Sequence, residues 1–463
     1  MGGDRACPGD WPYFATLRYS STSANEYFCG GVMIGTEWLL TAGHCVAGLK
    51  LNEQYGWYQP GRGRLEAVVG VVDTLEVPVD SVFQIQSVLV HPNYNRFDRN
   101  TGAVETNDIA LVRVTEPWRG EKAQLSALPW SIDADEAYGR GFTAGLGLTS
   151  VYETNEELLA ASPELVFDEK SNRFLSMGSR FLLSALVPLL PGYECSDQYN
   201  AHDVRTKICA GYFLGGRDTC AGDSGGPLVA LDKEESPYLI GITSYGRGCA
   251  SADGYGVYTR VSAYNEWIKR YVPDVSFTTN PPESDHTIVL SAEAALTSKM
   301  NHEAQALSIS IGDQGTFTDG DLISLTVDSN ADGNLLILDL NPSGGVTQLF
   351  PNRYMASSNA DWISSGERIE IPSREAGNFR LRARAEPPGE GRIVAILIPT
   401  GQELPEALNS SLNKALVPKT EPSNYVLNLF DFVERNAFEQ DDVEGGANFN
   451  GWSAASAAYR ISP

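Results

Sequence analysis

Ser224 lies in the run Gly222-Asp223-Ser224-Gly225-Gly226-Pro227-Leu228, where glycines crowd around the hydroxyl. Glycine costs chain entropy, so a stable fold rarely concentrates it without a use. Here the small neighbours let a substrate backbone come close. A serine hydroxyl is a poor nucleophile at its free pKa; it needs an adjacent base, and the base needs an orienting group. Both partners stand upstream. His44 sits in Thr41-Ala42-Gly43-His44-Cys45, after the apolar run Trp38-Leu39-Leu40, and Asp108 sits in Asn107-Asp108-Ile109-Ala110-Leu111-Val112, just before a strand-like run. Taken singly, each has an ordinary reading: a turn serine, a hydrogen-bonded core histidine, a strand-capping acid. Taken together they supply nucleophile, base and orienting acid, the requirements of acyl transfer.

In their contexts and in the order His, Asp, Ser, these residues resemble those of the trypsin/chymotrypsin-like serine proteases. Cys29-Gly30-Gly31-Val32, His91-Pro92-Asn93-Tyr94, Ser244-Tyr245-Gly246 and Gly256-Val257-Tyr258-Thr259-Arg260 extend the match, which covers roughly residues 1–272. The resemblance implies a mostly β chain with a chymotrypsin-like double β-barrel. It implies Ser224 as nucleophile, His44 as base and then acid, and Asp108 as the group that fixes the histidine. The backbone N–H groups of Gly222 and Ser224 would form the oxyanion hole. Asp218 falls where relatives that cleave after Arg or Lys place an acid at the pocket floor, with Ser244, Tyr245, Gly246 and Gly256 as walls. A buried carboxylate there is costly unless a cation arrives, which makes it selective. Tyr255 stands where some relatives bind a sodium ion; the competing reading is a packed tyrosine. No other cofactor is expected.

Relatives begin their mature chain with two aliphatic residues and Gly-Gly, and the new amine pairs with the acid before the nucleophile, here Asp223. Met1 fills the second aliphatic position, so the chain starts one residue late for this switch. The resemblance therefore leads us to expect a signal peptide and pro-segment upstream of the given start; the alternative is a protease that works without the switch. Many relatives bind calcium through two carboxylates in the loop before residue 82. Asp80 matches one, but Val71 stands near the other, so no metal is expected there.

Several elements must hold these residues. Val82-Phe83-Gln84-Ile85-Gln86-Ser87-Val88-Leu89-Val90 alternates with a period of two and reads as a half-buried strand. Ile109–Val114 reads as a strand behind Asp108. Glu153, Glu156 and Glu157 begin a poorly matched insertion, read as a surface loop. Residues 262–272 read as a helix capped by Ser262 and stopped by Pro273. The first domain is then 1–272, a linker runs over 273–287, and a second domain fills 288–463. Leu322–Val327, Gly333–Leu340, Phe379–Ala383 and Ile393–Ile398 read as its strands, and a sandwich-like, β-rich fold is expected. Gly345-Val346-Thr347-Gln348-Leu349-Phe350-Pro351-Asn352 resembles a bacterial domain of unknown function appended to peptidases and kinases. Such domains often end in a strand led by a tryptophan, as Trp452–Ile461 would be. No catalytic spacing of His, Cys or paired acids is seen there.

At 463 residues, two or more domains are expected, and a hydrophobic fraction of 42% is ample for packed cores. The formal net charge of −25 argues against a nucleic-acid partner, since phosphate is neutralised by Lys and Arg. No apolar run reaches membrane-spanning length. Of seven cysteines, six fall at spacings that read as bridges, although sequence alone allows several pairings. The resemblance implies Cys29–Cys45, Cys195–Cys209 and Cys220–Cys249, and leaves Cys7 as a free thiol or a bond to another chain. Disulfides imply an oxidising compartment, so a secreted or periplasmic protein is expected, and the resemblance of the second domain implies a bacterial one. Its partners would be protein or peptide substrates and an activating protease. The rival reading is a catalytically silent binding module on the same fold.

Overall fold

The alternating run Val82–Val90 is a strand in the computed structural model, with Phe83 and Ile85 buried. The structure describes residues 1–20, 25–52, 56–60, 63–96, 105–127, 139–149, 167–168, 173–174, 178–192, 195, 205–252, 254–280, 282–300, 306–352, 361–372, 380–384, 387–405, 408, 419, 421–437 and 451–463. Glu153, Glu156 and Glu157 lie outside them. The described residues divide into two compact units, Met1–Pro282 and Glu283–Pro463.

In the first unit the strands close two six-stranded barrels, as the resemblance implies. The first runs Phe14–Ser20, Asn25–Met33, Trp38–Thr41, Ala110–Val114, Val82–Val90 and Gly63–Val69, the last pairing back with the first. The second runs Pro227–Leu231, Gly139–Gly145, Leu183–Leu189, Lys207–Ala210, Gly256–Arg260 and Pro237–Gly246, closed by the pairing of its ends. Phe14, Leu17, Val32, Leu39, Leu40, Leu111 and Val112 are buried in the first barrel's core, Val187, Leu189, Leu228, Ile240 and Tyr258 in the second's. All three disulfides form: Cys29–Cys45, Cys195–Cys209 and Cys220–Cys249. Cys7 is exposed and unbonded.

Two boundaries differ from the sequence reading. Residues 261–264 form a 3₁₀ turn, and the α-helix starts at Asn265 and ends at Tyr271. Ser262 thus lies inside the turn and caps nothing. The first unit also extends past residue 272. Phe277–Thr278 adds a parallel strand beside Leu125–Ser126, and the Asn280 side chain donates to Asp232 at 2.7 Å.

The second unit is β-rich, as expected, and adds helices to the expected sandwich. One sheet orders Thr316–Thr318, Ser453–Ser462, Gly389–Pro399, Gly333–Leu340 and Val346–Phe350; another orders Leu307–Ile311, Leu325–Ser329 and Arg368–Ile371. Leu335, Ile337, Ile393, Ala395 and Leu397 pack with Leu325, Val327 and Ile371 in one core. Their strand neighbours Leu336, Leu338, Val394 and Ile396 are buried as well, so the central strands are covered on both faces. Helix Asp285–Met300, which begins inside the expected linker, packs on that sheet and against helix Pro422–Ala437. The expected strand Leu322–Val327 is split at Ser324. Leu322–Ile323 pairs with Leu381–Arg382, while Leu325–Ser329 pairs with Leu307–Ile311.

Candidate active site

Strand pairing brings the histidine and the aspartate together. Trp38–Thr41 runs antiparallel to Ala110–Val114, with Thr41 opposite Ala110. The chain leaves the first strand into the one-turn helix Gly43–Val46, which carries His44, and enters the second one residue after Asp108. Asp108 is buried, and its oxygens are fully engaged. Oδ1 accepts from the His44 backbone N–H at 2.8 Å, while Oδ2 faces His44 Nδ1 at 2.8 Å and accepts from Ser244 Oγ at 2.6 Å. Its own backbone carbonyl accepts from Thr259 Oγ1 at 2.8 Å, which ties it to the second barrel. Burial alone would lower the basicity of His44. The Asp108 hydrogen bond and charge outweigh that, Glu105 adds to them, and His44 ends above its ordinary value despite opposition from Arg96.

Ser224 comes from the second barrel, in the turn before Pro227–Leu231. Its carbonyl accepts from Gly30 N at 2.7 Å, which anchors the turn to the first barrel. Gly222 and Gly225 take left-handed φ values of 100° and 82°, which residues with a Cβ rarely adopt. A Cβ on Gly225 would also strike Thr41. Asp223 is buried inside the turn, where its Oδ1 accepts from Gly147 N at 2.6 Å and its Oδ2 from Cys220 N at 2.8 Å. Gly145 and Gly147 line this carboxylate so closely that a side chain on either would collide with it. The amine of Met1 reaches the same region but donates to the Asp218 carbonyl at 2.6 Å, not to Asp223.

Beside Ser224 opens a cleft of about 360 Å³. Asp218, Ser244, Tyr245, Gly246 and Gly256, the residues assigned to a specificity pocket, all line it, and the Cys220–Cys249 bridge joins its walls. Asp218 accepts from Thr219 N at 2.7 Å and from Ala250 N at 3.1 Å. Burial pushes its carboxyl up to about 7, against those two hydrogen bonds. Gly256 leaves the carboxylate its place, since a Cβ there would stand 2.9 Å from Asp218 Oδ1. Tyr255 packs with Leu190, Cys195, Cys209 and Val257.

Three contributions to the site are not evident in the sequence. Ser244 lines the pocket, but its hydroxyl also holds Asp108. Gly145 and Gly147 form the seat of Asp223, and the pair Gly145-Leu146-Gly147 was the only trace of it. Glu105 lies beside the histidine. The ligand-type atoms of His44, Glu105 and Asp108 fall within 4.8 Å of one another. They could be read as a metal centre, but Asp108 already accepts from three donors, an arrangement that suits proton transfer.

Residues 1–268 match the family model named Trypsin, and residues 316–400 match a domain of unknown function, DUF4384. Coagulation factor XI of Bos taurus is 30% identical over 271 residues, which is 58% of this chain and 37% of the relative. Vitamin K-dependent protein C of Rattus norvegicus is 33% identical over 289 residues, 61% of this chain and 54% of the relative. The chain therefore spans about half or less of the length of these curated relatives. No helix among the described residues is long and apolar enough to cross a membrane.

Proposed function

The chain belongs to the trypsin family of serine proteases, and from that premise we propose that it is a secreted endopeptidase that cleaves peptide bonds after Arg or Lys. The observation that carries the reading is the buried Asp108 bonded to His44 Nδ1, next to a cleft that Ser224 and Asp218 share. Ser224 Oγ attacks the scissile carbonyl as His44 takes its proton. Asp108 keeps the imidazole in the right tautomer and stabilises the imidazolium. Charge developing on the carbonyl oxygen is met by the N–H groups of Gly222 and Ser224; one such donor typically contributes about 2.7–4 kcal/mol. His44 then protonates the leaving amine, and a water that gives a proton to His44 attacks the acyl carbonyl, so that the Ser224 Oγ–acyl bond breaks, the acid leaves and the proton returns to Ser224.

Asp218 supplies the specificity. A guanidinium or ammonium reaching the pocket floor relieves the cost of its buried charge, which a neutral side chain does not do. Secretion is supported by the three disulfides, which persist in oxidising compartments. Activation by another protease is the role open to the Asp223 seat. A sodium site near Tyr255 remains a proposal on the residue type alone, and the DUF4384 unit fits a docking or inhibitory module.

Hydrolysis of a short Arg-terminated amide tests the reading. Ser224→Ala in the full chain should lower kcat by about 10⁴- to 10⁶-fold, as expected where the triad acts as a unit. A folded, disulfide-intact protein that neither cleaves amides or esters nor takes up a serine-directed phosphonate would instead be a silent binding module.

A further inference from the structure

Glu105 stands three residues before Asp108, partly buried, on the segment that leads into the first barrel's strand Ala110–Val114. Two neighbours fix it. Tyr94 Oη donates to Glu105 Oε1 at 2.9 Å, and the buried Lys207 ammonium donates to the Glu105 backbone carbonyl at 2.6 Å. Lys207 is itself held, since its Nζ also bonds Tyr245 Oη at 2.6 Å and lies 4.5 Å from that ring's centroid. The glutamate is therefore placed by both of its ends, within 4.8 Å of the ligand-type atoms of His44 and Asp108.

We infer that Glu105 is a positioning residue for the reaction, holding a second negative charge against the His44 imidazole beside that of Asp108. This rests on the protease reading of the site. A carboxylate at this range favours the imidazolium that forms as Ser224 loses its proton. It also makes His44 harder to deprotonate in the resting enzyme, so the gain in rate above the acid limb is offset below it. The charged and titratable groups facing His44 are Asp108, Glu105 and Arg96; those facing Glu105 are His44, Asp108, Tyr94 and Lys207. Burial lifts the Glu105 carboxyl above its usual range, and Asp108 adds to this. His44, the Tyr94 hydroxyl and Lys207 pull it back.

The test reads His44 directly. In the full chain carrying Ser224→Ala, the imidazole is titrated by NMR with ¹⁵N-histidine, the His44 signals being identified by their loss in His44→Gln. Glu105→Gln is expected to lower the His44 midpoint by about 0.5–1 unit, below the roughly 1–3 units of a fully buried close charge because the site is partly exposed. Glu105→Asp, which keeps the charge, should retain part of the elevation. With Ser224 restored, the acid limb of kcat/KM should move down by the same amount. The ratio of parent to Glu105→Gln kcat/KM should then shrink as pH falls, which a merely structural loss does not produce. If Glu105→Gln does not fold, Tyr94→Phe decides, since releasing the carboxylate should lower the His44 midpoint in the same direction. A His44 midpoint unchanged in the folded variants overturns the inference. A shifted midpoint in a protein without hydrolytic activity at any pH would leave the charge assignment standing and overturn the protease reading instead.

Discussion

Asp218 carries the most consequential charge at the scale of single residues, because it is almost fully buried and no side-chain cation is bonded to its carboxylate among the described residues. Burial sets its carboxyl at about 7, far above its unfolded value. The folded form thus prefers the proton: the stability it contributes is present below the unfolded pKa and is lost as pH rises through about 7. A cationic substrate side chain needs the opposite, ionised form. KM for an Arg-terminated amide should therefore rise as pH falls through about 7, while KM for the isosteric citrulline amide stays flat. Asp218→Asn should cost the Arg substrate about 30- to 5,000-fold in kcat/KM, the range for losing one partner of a buried charge pair. Equal kcat/KM for the Arg and citrulline amides across pH would show that Asp218 does not read the side chain.

Among elements, the turn Gly222–Gly226 depends on a seat made elsewhere in the sequence. Asp223 is gripped by Gly147 N, 76 residues away, and the strand end at Gly145 passes directly against its carboxylate. Gly145→Ala should force the acid out of its seat. We expect a loss of about 1–3 kcal/mol of stability, the usual cost of overpacking, seen as a lower midpoint in thermal unfolding. Active-site titration should fall with it, because the displaced turn carries Ser224 and the N–H groups proposed above for the oxyanion hole. An unchanged titre and midpoint would separate Asp223 from the turn's conformation. This contact also marks what could be read beforehand. His44 and Asp108, which the fold bonds to each other, and Ser224, which it sets at the cleft, can be picked out of the sequence because each sits in a short run whose residue types are themselves the signal. The Gly145–Asp223 seat and the Glu105–His44 approach were not, since only the fold brings those segments together. Helix Asp285–Met300 stayed hidden for another reason: its buried face, Ile288, Val289, Glu293, Leu296, Thr297 and Met300, includes a glutamate paired with Arg392 at 3.4 Å. Helix Pro422–Ala437 does show a 3.6-residue period in Val426, Leu429, Phe430, Val433 and Ala437, but the neighbouring strand-like runs led the second domain to be read as β alone.

The whole molecule places all of its disulfides in one of its two units. Every bridge lies between residues 29 and 249, inside Met1–Pro282, while Glu283–Pro463 holds no cysteine. The bridges close stretches of 16, 14 and 29 residues, and on the chain-entropy model each such loop is worth roughly 3 kcal/mol. The second unit rests on apolar packing instead, with its central strands buried on both faces. Reduction should therefore act on one unit and spare the other. Calorimetry of the full chain should show two transitions, of which dithiothreitol lowers one by many degrees and leaves the other within a degree or two. The transition that moves should be the one that an irreversible serine-directed inhibitor stabilises, because ligation raises the stability only of the unit that binds it. A single transition, shifted as a whole by reductant, would mean that the two units unfold together and that the second domain shares in the stability of the protease.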